Sequence, residues 1–305
     1  MRSPWKERWE ILKEVRDEFN RDNCPHLAAA LSYYTLFSLA PLLILVIAVS
    51  GIFFGREAVT GEVFRQLRGL IGPQGALAVQ EMIRKAYTPN DNFWAAAAGG
   101  ATLLVGATSV FIQIQDALDI IWGVRPRASR SPWKILRDRM LSFGMVLGLG
   151  FLLLVSLLFH AILSALGGRI SAFYPHLSIV FLKTLETAVS IGVTTLLFAM
   201  LFKFLPDVRI RWRDVWTGAF VTSALFAVGK IVIGLYLGSS RIASTYGAAA
   251  AVMIVIVWVN YSSLIVFLGA EFTQAFARRR GADIVPAEYA VPVEKGGQEV
   301  LAERR

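Results

Sequence analysis

The stretch TYGAAAAVMIVIVWVNYSSLIVFLGA, Thr245–Ala270, runs for 26 residues without Asp, Glu, Lys or Arg. An α-helix needs about 20 predominantly apolar residues to cross the hydrocarbon core of a bilayer, so this run is long enough to span. Outward from it the pattern recurs. Leu27–Phe54, Phe93–Gln115, Leu141–Leu166 and Thr187–Phe202 are also free of charge. The last of these is short, but it extends to Leu205 because a lysine near a helix end, here Lys203, can snorkel to the interface. A sixth run, Trp216–Leu237, is broken only by Lys230. The spacing predicts an all-α membrane protein with six transmembrane helices at about 27–54, 93–122, 140–166, 179–205, 214–238 and 245–277. Composition agrees: 55% of the 305 residues are hydrophobic, 17% are charged, and mean hydropathy is +0.55.

The net charge of +9 raises nucleic-acid binding, but its distribution assigns it to topology instead. The stretch GVRPRASRSPWKILRDRM, Gly123–Met140, holds six Lys/Arg; LPDVRIRWRD at Leu205–Asp214 and ARRR at Ala277–Arg280 are also basic. The alternate loops GGRISAFYPHLS and GSSRIAS hold one each. This is the positive-inside pattern, and it predicts both termini in the cytoplasm. Loop 56–92 then lies outside, where Val63/Phe64/Leu67/Leu70 and Leu77/Met82/Ile83/Tyr87 predict two short helices separated by GPQG.

Residues 1–26 read as a cytoplasmic interfacial segment. Trp5, Trp9, Leu12, Val15 and Phe19 recur at helical spacing among charges, and tryptophan favours the headgroup region. The first apolar run is too long, and follows too much mixed charge, to read as a cleaved signal peptide. Residues 281–305 gain Pro, Gly and charge and lose periodicity, which predicts a flexible cytoplasmic tail behind a membrane domain over 27–280. The single cysteine, Cys24, excludes an intrachain disulfide.

Polar residues repeating every three or four positions in an apolar helix mark the face turned toward protein or water. The second predicted span carries Thr102, Gly106, Ser109, Gln113 and Asp116; the fifth carries Ser223, Ala227, Lys230, Gly234 and Gly238. Glu186, Ser190 and Thr194 mark the fourth, and Asn260, Ser263 and Glu271 the sixth. Lys230 lies nine residues before Ser239, roughly 13 Å deep at 1.5 Å per residue. A charge at a helix centre costs about 2.5–3.5 kcal/mol on insertion scales, which an opposite charge reduces. Glu186 is the expected partner of Lys230, with His160 near the same outer level. Asp119 and Glu271, with Asp116, are expected to form an inner acidic gate. The competing expectation is that the stripes only pack helices and the acids only neutralise basic loops.

Three segments together carry a resemblance: AAALSYYTLFSLAPLLILV (Ala28–Val46), FLPDVRIRWRDVWTGAF (Phe204–Phe220) and STYGAAAAVMIVIVWVNYSSLIVFLGAEFTQAF (Ser244–Phe276). From Cys24 to Arg279 the chain resembles the virulence-factor BrkB / YihY family of bacterial inner-membrane proteins. The resemblance implies six spans and a bacterial plasma membrane; members are often supposed to transport lipid or envelope precursors. It supplies no catalytic residues. An older label for such sequences, ribonuclease BN, finds little support, because metal-assisted hydrolysis needs converging ligands and His26, His160 and His176 fall at different predicted helix ends.

The expected function is therefore a non-enzymatic transporter or translocator with a polar cavity, acting on an anionic or lipidic substrate within membrane lipids. The alternative is a non-transporting membrane scaffold or envelope-assembly factor. No nucleic-acid partner, metal or cofactor is expected, and no G-x-x-x-x-G-K loop is present to bind ATP.

Overall fold

A computed structural model describes residues 4–86, 93–126, 144, 148, 175–239, 250–281, 285–287 and 290–293. Among these residues seven long helices follow in order: α1 (Pro4–Arg21), α2 (Cys24–Phe54), α3 (Arg56–Ala86), α4 (Phe93–Ile121), α5 (Pro175–Phe204), α6 (Trp212–Ser239) and α7 (Ala250–Arg279). Four of them contain stretches long and apolar enough to cross a bilayer: Cys24–Ala48, Thr187–Phe204, Trp212–Tyr236 and Val252–Arg279. The 29-residue α4 occupies the position read as 93–122. The span read at 140–166, with His160, lies outside the described residues apart from Gly144 and Gly148.

Local chemistry explains the joints. Asn23 takes a left-handed conformation (φ 51°), which asparagine tolerates better than most residues, and Pro25 opens α2 where its missing N–H is harmless. α1 and α2 are thereby joined by a turn of two residues, Asp22 and Asn23. In α3, Gly72 (φ 75°) breaks the helix and Pro73 starts the next piece, so the GPQG reading corresponds to a kink between two helical segments.

Packing is close between α6 and α7, which run antiparallel. Thr222 and Thr273 each turn a hydroxyl back to a carbonyl four residues earlier, Gly218 and Gly269 respectively, at 2.7 and 2.6 Å. Each threonine then fits against the glycine of the other helix: a Cβ at Gly218 would lie 1.8 Å from Thr273 Oγ1, and one at Gly269 would lie 2.0 Å from Thr222 Oγ1. Lipid gives no hydrophobic drive between such helices, so contact area and close backbone approach hold this seam.

The main core lies at one end of the bundle. It gathers Ala28 of α2, Leu118 and Ile121 of α4, Phe202 of α5, Val215 and Ala219 of α6, and Phe267 and Ala270 of α7. We call this the basic end, since Arg209, Arg211, Arg213 and Arg278–Arg280 surround it. At the other end Ile71 and Val79 of α3 pack with Ile254, Val255 and Val259 of α7.

The tail read as flexible needs correction over its first part. β4 (Ala290–Pro292) pairs antiparallel with β1 (Val124–Pro126), which follows α4. β3 (Val285–Pro286) pairs with β2 (Val208–Arg209) in the turn between α5 and α6. Ala287 N–H donates to the Asp207 carbonyl and Val293 N–H to the Gly123 carbonyl, both at 2.9 Å, and Ala290 is buried in the main core. Backbone pairing, not a periodic apolar face, orders this strap.

Candidate functional site

The strongest concentration of buried charge is built by the α1–α2 turn and the last third of α7. Glu18, Asp22 and Glu271 each direct a carboxylate oxygen toward one point, the three atoms lying within 4.8 Å of one another. Glu271 is 1% exposed and Glu18 is buried. Cys24 Sγ donates to Glu271 Oε1 at 3.6 Å, while Arg21 (3.1 Å) and Arg278 (3.7 Å) both reach Glu18 Oε1. Burial pushes the Asp22 carboxyl above its ordinary range, against the opposing effects of a hydrogen bond with Glu271 and the charges of Arg21 and Arg278.

Charge also docks α1. Glu10 and Glu14 pair with Arg279 at 3.7 and 2.9 Å, extending the line of Glu18 one and two turns back. The aromatic stripe predicted for α1 splits accordingly. Val15 and Phe19 turn into the core, whereas Trp9 and Leu12 stay 61% and 57% exposed.

A second buried polar group sits across the basic end. Asp119 of α4, 3% exposed, accepts the Asp207 N–H at 2.7 Å, and Gln115 Nε2 donates to Asp207 Oδ1 at 3.3 Å. Gln274 of α7 donates to the Ile121 carbonyl at 2.6 Å, tying α7 to the end of α4. The inner acidic gate read from the sequence is therefore corrected: Glu271 faces α1 and α2, Asp119 holds the turn after α5, and Asp116 is exposed. Helical depth brought the three acids to one level but could not say which neighbours each would face.

The remaining predicted residues are distributed as follows. On α4, Thr102 is exposed and Ser109 donates to the Val105 carbonyl at 2.8 Å; Gln113 is half-buried, and Gly106 abuts the Pro41 ring of α2. Ser223 is buried and donates across to the Ile191 carbonyl of α5 at 3.2 Å. Lys230 and Asn260 are half-buried. The Ser223–Ile191 and Gly218–Thr273 contacts fix the registers of α5 and α7 against α6. They place the backbones of Glu186 and Asn260 within about one turn of the level of Lys230. The Glu186 side chain lies outside the described residues.

Glu18, Asp22 and Asp207 were missed by reading the sequence. For the first two the signal was present: Glu10, Glu14, Glu18 and Asp22 recur every four residues, opposite in sign to Arg278–Arg280.

With that geometry in view, the comparison with known families is direct. Residues 15–293 match the model described as Virulence factor BrkB. The chain belongs to the BrkB family. The match begins within α1 and ends at Val293, so it takes in Glu18, Asp22, Glu271 and the strap. Among BrkB-like relatives, a UPF0761 membrane protein of Teredinibacter turnerae is 30% identical over 274 residues, covering 88% of this chain and 60% of that one. Another from Alkalilimnicola ehrlichii is 28% identical over 278 residues (86% and 57%), and one from Neisseria meningitidis serogroup B is 28% identical over 276 (87% and 64%). The chain spans about three fifths of the length of these relatives. No solved structure matches it. The family and the apolar helices together make this a multi-pass membrane protein.

Proposed function

We propose that the protein is a bacterial inner-membrane transporter, rather than an enzyme, that moves an anionic or lipidic envelope precursor, with both termini in the cytoplasm. The observation that supports this is Glu271: a carboxyl buried within the Val252–Arg279 span beside two further acids, a placement too costly to be common unless it serves a pathway or an ion. Lys230, at the level of Glu186 and Asn260, is the group that would meet an anionic substrate toward the opposite end, with Glu186 as its resting counter-charge. Thr102, Ser109, Gln113 and Asp116 supply a polar side on α4 for the route between. The second reading, a membrane scaffold, is favoured by the reciprocal glycine–threonine seam, which is dry, close packing.

The test is flux in proteoliposomes against a panel of fluorescent anionic lipids and labelled anionic metabolites. Thiol labelling of Cys introduced at Ser109 and Asn260 on a Cys24→Ser background accompanies it. Transport predicts protein-dependent flux that falls about tenfold or more in a folded Lys230→Leu variant, the effect of removing roughly 1.4 kcal/mol of substrate binding, with labelling at both sites. No flux with any panel member, together with no labelling at either position, would leave the scaffold reading in its place.

A further inference from the structure

We propose that the exposed face of α6 binds a net-anionic phospholipid, with Arg211 and Arg213 at the headgroup phosphate and an aromatic and aliphatic stripe along the acyl chains. The α6–α7 seam sets the level. Gly218 opposes Thr273 and Gly269 opposes Thr222, so the same antiparallel register brings Trp212 level with Arg279. Arg279 pairs with Glu10 of α1, and Glu10 adjoins the exposed Trp9. Two exposed tryptophans at one level on separate helices mark the headgroup region, where an indole keeps its body in the bilayer and its N–H in water. Each has a lysine over its ring, Lys13 at 5.8 Å from the Trp9 centroid and Lys203 at 5.5 Å from that of Trp212. Lys203 also donates to the Ile210 carbonyl, and Phe204 meets Trp212 edge-on at 5.8 Å. The Trp212 ring is thus held in place while the residue stays 45% exposed.

Charge selects the headgroup. The arginines of α7 are already matched: Arg278 with Glu18, Arg279 with Glu10 and Glu14, and Arg280 over the Phe276 ring. Arg211 and Arg213, one residue to either side of Trp212, are exposed and form no ion pair among the described residues, and the adjacent Asp214 is buried. At headgroup level the anions within their reach are lipid phosphates. A zwitterionic headgroup brings its own cation beside the phosphate, so two arginines favour a headgroup that keeps its net charge. Below them Trp212, Trp216, Phe220, Val228, Ile231 and Leu235 are all exposed on one broad face of α6. From Trp212 to Val228 this face extends roughly 24 Å, more than the depth of about 15 Å that one leaflet of hydrocarbon occupies. Binding of this kind requires no transport.

The experiment titrates the full chain in detergent with phosphatidylglycerol or phosphatidylcholine of the same acyl chains and counts the lipid retained by native mass spectrometry. Phosphatidylglycerol is retained at a concentration lower by about tenfold or more, and Arg211→Gln with Arg213→Gln removes most of this preference. Arg68→Gln with Arg84→Gln, which takes the same charge from exposed positions on α3, keeps it. Phosphatidylglycerol brominated in its chains quenches tryptophan fluorescence more strongly than brominated phosphatidylcholine, and Trp216→Leu removes part of the difference. The proposal is overturned by equal retention of the two lipids, by a preference that survives the Arg211 and Arg213 substitutions, or by one that the α3 substitutions abolish as well. It is also overturned by a quenching difference that Trp216→Leu leaves unchanged, or by a dimer, dissociated by the Arg211 and Arg213 substitutions, in place of bound lipid.

Discussion

Two glycines of α6 sit in opposite circumstances, and the contrast separates packing from propensity. Gly218 faces Thr273, where a methyl group would overlap the threonine hydroxyl and its carbon skeleton; Gly234 has nothing near the corresponding position. Gly218→Ala is expected to destabilise by about 1–3 kcal/mol, because the seam must open to admit the methyl. Gly234→Ala is expected to be neutral or stabilising by up to about 1 kcal/mol, the ordinary helix preference for alanine. Unfolding midpoints in detergent compare the two directly, and equal effects would show that the seam is not tight. Sequence reading placed Gly234 in the stripe of the fifth predicted span on equal terms with its other members, because spacing shows which residues share a face but not what opposes it. Lys230 was legible for the converse reason: a lone charge interrupts an apolar run wherever it points. Glu271 was legible as an unusual acid, but its partners Glu18 and Asp22 lie at the far end of the chain, on a helix that reads as an ordinary surface element.

At the scale of elements, the helices were largely readable and the strap was not. α2, α5, α6 and α7 follow from charge-free runs, with ends displaced by a few residues where caps and snorkelling side chains extend the helix past its apolar stretch. β3 and β4 are two and three residues long, and each ends in proline, so neither shows a period of two or a β-rich composition. Their order comes from partners elsewhere in the chain, β1 and β2, which are equally short. A chain ending after Glu294 retains both pairings and should unfold at the wild-type midpoint. One ending after Gly281 loses both, together with the buried Ala290 and the bonds to Asp207 and Gly123. At about 1 kcal/mol per net hydrogen bond, the second truncation should cost roughly 2–4 kcal/mol. A chain ending after Gly281 that unfolded with the full-length midpoint would show the strap to be a passenger.

At the scale of the molecule, the contacts at the basic end constrain how the chain is threaded. Cys24 at the start of α2 meets Glu271 near the end of α7; Gln274 meets the end of α4; Asp119, also at the end of α4, meets Asp207 just beyond α5. The start of α2 and the ends of α4, α5 and α7 therefore share one side. Since α5 finishes on that side it begins on the other, while α4 finishes on the near side, so the chain between 127 and 174 is predicted to cross an odd number of times. The apolar run at 140–166 has the length for one crossing. Arg125, Arg209–Arg213 and Arg278–Arg280 all attach to the shared side, which the proposed topology, by the positive-inside tendency, assigns to the cytoplasm. Alkaline phosphatase, active only outside the cytoplasm, should then be silent when fused after Arg130, Arg211 or Gly281 and active after Arg169 or Gln66. Equal activity at Arg130 and Arg169 would require an even number of crossings between them, which would be incompatible with α4 and α5 both ending at the Asp119–Asp207 contact.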